Sequence, residues 1–252
     1  MPSDRNFDDI AQRFTQTIYA NPKGKLRLLG LQQDFLDMAI PIEDMEVLDV
    51  GGGQGQFSLW LAERSARISL CDVSKSMLEI ARNNFSAAHL HAEFTQCALQ
   101  ELPERFPRKF DLVLNHAVLE WLEAPFDALP LLVDRLKPGG YLSLMFYNRA
   151  GHQWRQIMNG GIDTPDESNP KLRREGNAPQ QPLNPAEVEE ALKSLGLTVL
   201  RWRGIRCIHD HLHDLIRQRL GEEKIAEADL KYGLLEPFRQ FGRYVHFVAR
   251  RA

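Results

Sequence analysis

Cysteine is scarce in this chain. Cys71, Cys97 and Cys207 are the three in 252 residues; none stands in C-x-x-C spacing, and each sits in an apolar or strand-like context. A disulfide scaffold or a thiolate zinc site is excluded, and reduced core thiols fit. No apolar run approaches the length of a membrane span. The opening Met1-Pro2-Ser3-Asp4-Arg5 lacks the apolar core of a signal peptide, so a cytoplasmic protein is expected, with no membrane partner and no obligate protein partner evident. A strong charge of one sign is also missing. The net −3 argues against non-specific coating of nucleic acid but leaves room for a local basic face. Internal repeats and low-complexity tracts are absent. Hydrophobic content of 43% and charged content of 26% are those of an ordinary globular protein, and the length suits one domain with insertions.

What is present concentrates at Val47-Leu48-Asp49-Val50-Gly51-Gly52-Gly53-Gln54-Gly55-Gln56-Phe57. This stretch reads as a buried strand with an acidic residue near its end, a glycine turn, and the start of a helix. Four glycines in five residues are costly for stability alone, whereas a sharp turn against a ligand needs residues without Cβ. The dinucleotide pattern G-x-G-x-x-G fails, since its third glycine falls on Gln56 or on Ser58. Asp49 through Gly55 instead reads D-x-G-x-G-x-G, which resembles motif I of the class I S-adenosylmethionine-dependent methyltransferases.

Around this stretch the chain alternates strands and helices, the pattern of a parallel sheet wrapped by helices. Residues 1–40 read as a helical cover: Phe7, Ile10, Phe14 and Ile18 mark one helix face, and Asn21-Pro22 opens a second helix. Strands are expected at Ile68–Cys71, Phe94–Gln96, Phe110–Asn115, Tyr141–Tyr147, Thr198–Cys207 and Arg243–Ala249. Ser74 or Ser76 can cap the helix that carries Met77, Ile80 and Ala81. A helix from Asp127 to Leu136 is expected to end at the turn Lys137-Pro138-Gly139-Gly140. Residues 148–184, rich in Asn, Gly and Pro, read as a long loop insertion holding Lys171, Arg173 and Arg174. Asn184-Pro185 then opens a helix that Gly196 closes. The class I resemblance implies an α/β, Rossmann-like fold. Its seven-stranded sheet is mostly parallel, with an antiparallel last strand and helices on both faces, and spans residues 1–252 as one domain.

Asp72 ends the second strand, where an acidic side chain can accept the hydroxyls of an adenosine ribose. Leu99-Gln100 follow the third strand, where such folds meet the adenine edge. The fourth strand ends Asn115-His116-Ala117-Val118, unlike the N-P-P-Y of amide or adenine nitrogen methylation. No Pro-Cys pair offers the nucleophile of pyrimidine C5 methylation. His209 and His213 would share one helix face, yet no third ligand cluster lies nearby and no metal centre is expected; Asp210 reads as a helix N-cap among solvated neighbours. From Lys193 to Ala252 twelve Lys or Arg face seven Asp or Glu, so this region is +5 and the remainder −8. Such an imbalance suits a face that meets phosphates, and solvated helices produce it too.

Taken together, Arg5–Ala11, His116–Trp121, Pro138–Gly140 running into Leu142–Asn148, Arg206 with His209-Asp210, and Gly242-Arg243-Tyr244 resemble the bacterial tRNA 5-carboxymethoxyuridine methyltransferases. The likeness spans nearly the whole chain. It implies methyl esterification of the 5-carboxymethoxyuridine carboxylate at the wobble position of a tRNA anticodon stem-loop, with S-adenosylmethionine as cofactor. The cofactor contacts it implies are Arg27, Gly51, Gly52, Asp72, Leu99, Gln100 and His116. An arginine suits bidentate capture of a carboxylate, and Arg206 is assigned that role, with Arg243 a second candidate and Tyr147 and Tyr19 shaping the uridine pocket. Two other readings remain open from the residues: a methyltransferase for a small carboxylic acid or quinone-type substrate, and a non-catalytic S-adenosylmethionine- or tRNA-binding protein.

Overall fold

The computed structural model describes residues 22–161 and 181–252. The helix expected around Phe7–Ile18, Tyr19, and the basic run Lys171, Arg173 and Arg174 lie outside them. The described elements are, in order, α1 (Pro22–Asp37), β1 (Glu46–Val50), α2 (Gln56–Ala62), β2 (Arg67–Asp72), α3 (Lys75–Ala87), β3 (Ala92–Gln96), α4 (Leu102–Arg105), β4 (Phe110–His116), α5 (Ala128–Asp134), β5 (Leu136–Tyr147), α6 (Arg149–Met158), α7 (Pro185–Ser194), β6 (Leu197–Ile205), α8 (Asp214–Leu220), α9 (Glu222–Tyr232) and β7 (Tyr244–Arg251).

The strands form one seven-stranded sheet in the order β3-β2-β1-β4-β5-β7-β6. Strands β1 to β5 pair in parallel, and β7 runs antiparallel to both β5 and β6. The expected antiparallel last strand is therefore β7. The order of strands reverses between β1 and β4, and ligands of open α/β sheets bind in the crevice at the carboxyl ends of such a pair. Because β7 runs the other way, its first residues reach that same end.

Alternating side chains split the core into two layers, as a period of two requires. Leu48, Val113, Leu142, Leu144, Phe146 and Phe247 face α5 and α7. Val47, Ile68, Leu112, Leu114, Met145 and Val248 face α1, α2 and α3. On the second face Phe35 meets Phe57 edge-on at 5.1 Å and Phe57 stacks on Trp60 at 5.3 Å, which fixes α1 against α2. Caps follow the sequence: Ser74 accepts from the Met77 amide at 3.1 Å, and Asn184 accepts from the Ala186 amide at 3.0 Å.

Three expectations change. Lys137-Pro138-Gly139-Gly140 does not precede β5 but lies within it, as a bulge across which the partner register jumps from Phe110–Leu136 to Leu112–Tyr141. Gly139 takes φ +75° there, and a Cβ on Gly140 would stand 3.0 Å from the Lys137 carbonyl oxygen. Residues 148–184 are not loop throughout, because α6 occupies Arg149–Met158. Gly151 disguises this helix in the sequence; it is required because a Cβ would collide with the Gly242 carbonyl. Finally, His209 and His213 do not share a helix face. His209–His211 is a 3-10 turn, and His213 caps α8 by accepting from the Leu215 amide.

Candidate active site

The glycine turn comes first because backbone alone makes it. The Gly51 and Gly52 amides both donate to the Cys71 carbonyl, at 2.8 and 3.1 Å. Gly51 has φ +70° and a Cβ on it would stand 2.5 Å from Val118 Cγ2. A Cβ on Gly52 would stand 2.6 Å from Leu70 Cγ and 2.7 Å from Asp49 Oδ2. The turn is thus pinned to β2 from below and closed against Val118 from above. Asp72 ties β2 to it: Oδ2 accepts from the Gly53 amide and Oδ1 from the Ser74 amide, both at 2.9 Å. Behind the turn, burial raises the Asp49 carboxyl to about 7 against the lowering effect of its 2.6 Å bond from Ser58 Oγ. Leu99 is buried in the 3-10 turn after β3, with Gln100 exposed beside it. His116 ends β4 with its Nε2 2.8 Å from Ser143 Oγ, and burial holds its pKa well below the ordinary imidazole value.

A second group of side chains sits at the ends of β5 and β7. Tyr147 is buried, its hydroxyl 3.1 Å from His152 Nδ1 on α6. Its ring meets that of Tyr244 edge-on at 5.5 Å and lies under the Arg243 guanidinium at 5.3 Å. Arg27 of α1 lies over Tyr244 at 5.5 Å. Arg206 follows β6 in a left-handed conformation, φ +62°. Its Nε and Nη2 clasp the buried Asp210 carboxylate at 2.6 to 2.9 Å. Arg243 Nη1 approaches the same carboxylate at 3.3 Å and His209 Nδ1 at 2.9 Å. Burial opposes ionisation of Asp210, but the His209 bond and the two guanidinium charges outweigh it and hold the carboxyl well below its usual range. Lys23 and Arg155 feel the same cluster: burial, then the Arg206 charge, lowers Lys23, while burial, then the Arg243 charge, lowers Arg155. Two guanidinium groups therefore hold the Asp210 carboxylate, and among the described residues the Lys23 and Arg155 charges act on the same cluster, an arrangement that attracts a further anion.

Between the two groups lies Glu120, in the 3-10 turn after β4. It is 1% exposed, burial raises its pKa to about 7, and the Tyr147 amide and the Arg27 charge act against the rise. Among the described residues its Oε2 has no hydrogen-bond partner. The segment from 148 to 184 starts and ends here: the Arg149 amide donates to the Leu183 carbonyl and the Leu183 amide to the Tyr147 carbonyl, both at 2.9 Å.

The chain matches a family model described as a methyltransferase domain over residues 47–140. It is 38% identical to the tRNA 5-carboxymethoxyuridine methyltransferase of Escherichia coli K12, over 98% of this chain and 97% of that one. The chain belongs to the tRNA 5-carboxymethoxyuridine methyltransferase family. A ubiquinone biosynthesis O-methyltransferase from Dechloromonas aromatica is 31% identical, but over only 47% of this chain and 51% of that one. Among solved structures, the Synechocystis magnesium protoporphyrin IX methyltransferase with bound SAH aligns at TM-score 0.68 and 15% identity, over 98% and 96% of the two chains. The [4+2]-cyclase SpnF aligns at 0.63 and 18%, over 99% and 96%. These two share the fold.

Within this family's chain, the sequence-derived candidates divide. Gly51, Gly52, Asp72 and His116 stand at the strand ends around the β1/β4 crevice, Leu99 and Gln100 lie in the turn after β3, and Arg27 lies over Tyr244. Tyr147, Arg206 and Arg243 come together at the cation cluster, while Tyr19 lies outside the described residues. Asp210, expected as a helix N-cap among solvated neighbours, instead has its side chain buried at the centre of the cluster, because Arg206 four residues earlier turns back onto it. Lys23, Arg155 and Glu120 were not singled out. Lys23 and Arg155 carry no local signal, and Glu120 was visible only as an acidic residue between Leu119 and Trp121 in an apolar stretch.

Proposed function

We propose that this chain methylates the carboxylate of 5-carboxymethoxyuridine at the wobble position of a tRNA, forming the methyl ester, and that the anticodon stem-loop is its macromolecular partner. The observation that carries this reading is the pair of guanidinium groups of Arg206 and Arg243 on the Asp210 carboxylate, beside Tyr147 and Tyr244, with the Lys23 and Arg155 charges acting on the same cluster. The methyl donor is S-adenosylmethionine, which supplies an already activated sulfonium methyl. The residues suit it: a turn free of side chains at Gly51 and Gly52, an acidic acceptor for ribose hydroxyls at Asp72, Leu99 and Gln100 for the adenine edge, and Arg27 and His116 for the methionine moiety.

A carboxylate with a pKa of about 4 is ionised at neutral pH, so no general base is needed. The protein's work is to capture the carboxylate, strip its water and align it. The Nε–Nη2 fork of Arg206 is taken by Asp210, so Arg206 acts as a fixed charge, and Arg243 with Arg155 and Lys23 receives the substrate. Burial raises the Tyr147 hydroxyl, which keeps it a protonated donor at the pocket wall. Residues 1–252 act as one domain, with 1–40 as cover and 148–184 as an insertion rooted beside Tyr147. Among the described residues no helix is long and apolar enough to cross a membrane, and the cytoplasm is where the tRNA substrate would be met.

Mass spectrometry of wobble nucleosides from cells with and without the gene tests the reading. The free acid accumulates on deletion if the proposal holds; an unchanged ester level refutes it. Purified protein that methylates a small carboxylic acid at full rate without RNA would favour the small-molecule alternative.

A further inference from the structure

Under His116 runs a buried polar chain to which the methyl transfer proposed above assigns no part. His116 Nε2 lies 2.8 Å from Ser143 Oγ, and Ser143 Oγ lies 2.9 Å from His246 Nε2. His246 Nδ1 lies 2.7 Å from Asp34 Oδ2, and Arg203 Nε donates to Asp34 Oδ1 at 2.9 Å. The chain crosses β4, β5, β7, α1 and β6 in turn. Asp34, Ser143 and His246 are 0% exposed and Arg203 is 1% exposed. Arg201 stands 3.6 Å from Asp34 Oδ1, and Asp37 stands 3.6 Å from Arg203 Nη2.

Each bond fixes the direction of the next. A carboxylate only accepts, so His246 Nδ1 carries a proton. Arg201 and Arg203 already answer the Asp34 and Asp37 carboxylates, so we take the imidazole of His246 with its proton on Nδ1 alone and its Nε2 as acceptor. Ser143 must then donate to His246 and accept from His116 Nε2–H. Burial keeps His116 neutral, so its Nδ1 is left as a bare acceptor.

We propose that Asp34 and His246 are positioning residues which, through Ser143, hold His116 in the Nε2–H tautomer and so make Nδ1 an acceptor for the α-ammonium group of S-adenosylmethionine. This rests on the reading of His116 as a cofactor contact. An ammonium is a donor and never an acceptor, so the opposite tautomer would turn an N–H toward it. The role is of the second-neighbour kind that orients ligating histidines elsewhere.

Nitrogen-15 NMR of labelled histidine tests the tautomer in the unaltered protein. His116 protonated at Nε2 is expected, and protonation at Nδ1 overturns the proposal. Calorimetry with S-adenosylhomocysteine, which keeps the ammonium, and with methylthioadenosine, which lacks it, tests the consequence. In Asp34→Asn the amide can face its oxygen to Arg203 and donate to His246 Nδ1, which reverses the series and protonates His116 Nδ1. S-adenosylhomocysteine should then bind about tenfold more weakly or worse, the loss of a charge-assisted hydrogen bond, with methylthioadenosine unchanged. Ser143→Ala, which interrupts the series without reversing it, should weaken S-adenosylhomocysteine about threefold. Equal losses for both ligands, or none for either, overturn the proposal. Failure of the unaltered protein to bind either ligand refutes instead the cofactor reading beneath it.

Discussion

The two halves of the site are built by opposite means. The cofactor half is mostly backbone: a glycine turn, two strand ends and one carboxylate that holds both. Its main parts lie within 26 consecutive residues, from Asp49 to Ser74. The half proposed to take the acceptor is all side chains, drawn from α1, β5, α6, the turn after β6 and the residue before β7. At Gly51 and Gly52 a Cβ would collide with Val118, Leu70 or Asp49, so the first half leaves little choice of residue there. Charge can be supplied from several directions, so the second half needs only the right sum of charges in the right place. On the roles proposed above, the difference teaches where each property resides: methyl delivery is local and the choice of acceptor is distributed.

Substitutions should separate the halves. The largest effect is expected from Arg243→Ala, which removes the cation lying over Tyr147 and next to Asp210. The kcat/KM for modified tRNA should fall about 100-fold, close to 3 kcal/mol for a charged hydrogen-bond donor, while S-adenosylmethionine affinity by calorimetry stays unchanged. A parallel loss of cofactor affinity would erase the distinction between the halves. Gly51→Ala should show the converse. A left-handed φ costs an alanine about 1–2 kcal/mol before the clash with Val118 is counted, so cofactor affinity should fall at least about tenfold. Binding of tRNA by Gly51→Ala, measured by filter retention, should hold.

The last test reads stability instead of activity and concerns Glu120, which stands on the boundary. Its folded pKa of about 7 is raised above the ordinary glutamate value by burial. The folded state therefore holds a proton that the unfolded state releases between about pH 4.5 and 7, and stability falls as pH rises through that window. The loss is up to about 3 kcal/mol for a shift of this size. Glu120→Gln removes the titration, so its Tm should vary less steeply with pH over that window than that of the unaltered protein. Equal slopes would place the titration elsewhere, with Asp49, raised in the same sense, the next group to test.

How much the sequence showed follows the same division. Asp49 through Gly55 is legible because left-handed turns and close approach leave few residue choices, and Asp72 because strand ends recur at predictable intervals. The sheet was legible for the same reason, down to the helix that Asn184 caps. The bulge at Pro138–Gly140 was read as a turn since both need the same residues, and only the pairing with Phe110 and Leu112 tells them apart. Helix α6 was missed because Gly151 serves a distant contact with Gly242. Asp210 was misread as a cap because the four-residue spacing from Arg206 gives no hint that the chain reverses between them. His246 and Asp34 lie 212 residues apart, and nothing local to either marks them as partners.

The clasp between Tyr147, Arg149 and Leu183 has an evolutionary consequence. It returns the chain to the point from which it departed, so the segment beyond α6 rejoins the sheet at the same junction from which the excursion left. A lineage can lengthen, shorten or recharge the part of that excursion beyond α6 and still return it to the same junction beside Tyr147. New acceptors can thus be tried out by splicing at a single doorway, while the machinery for methyl delivery is inherited intact.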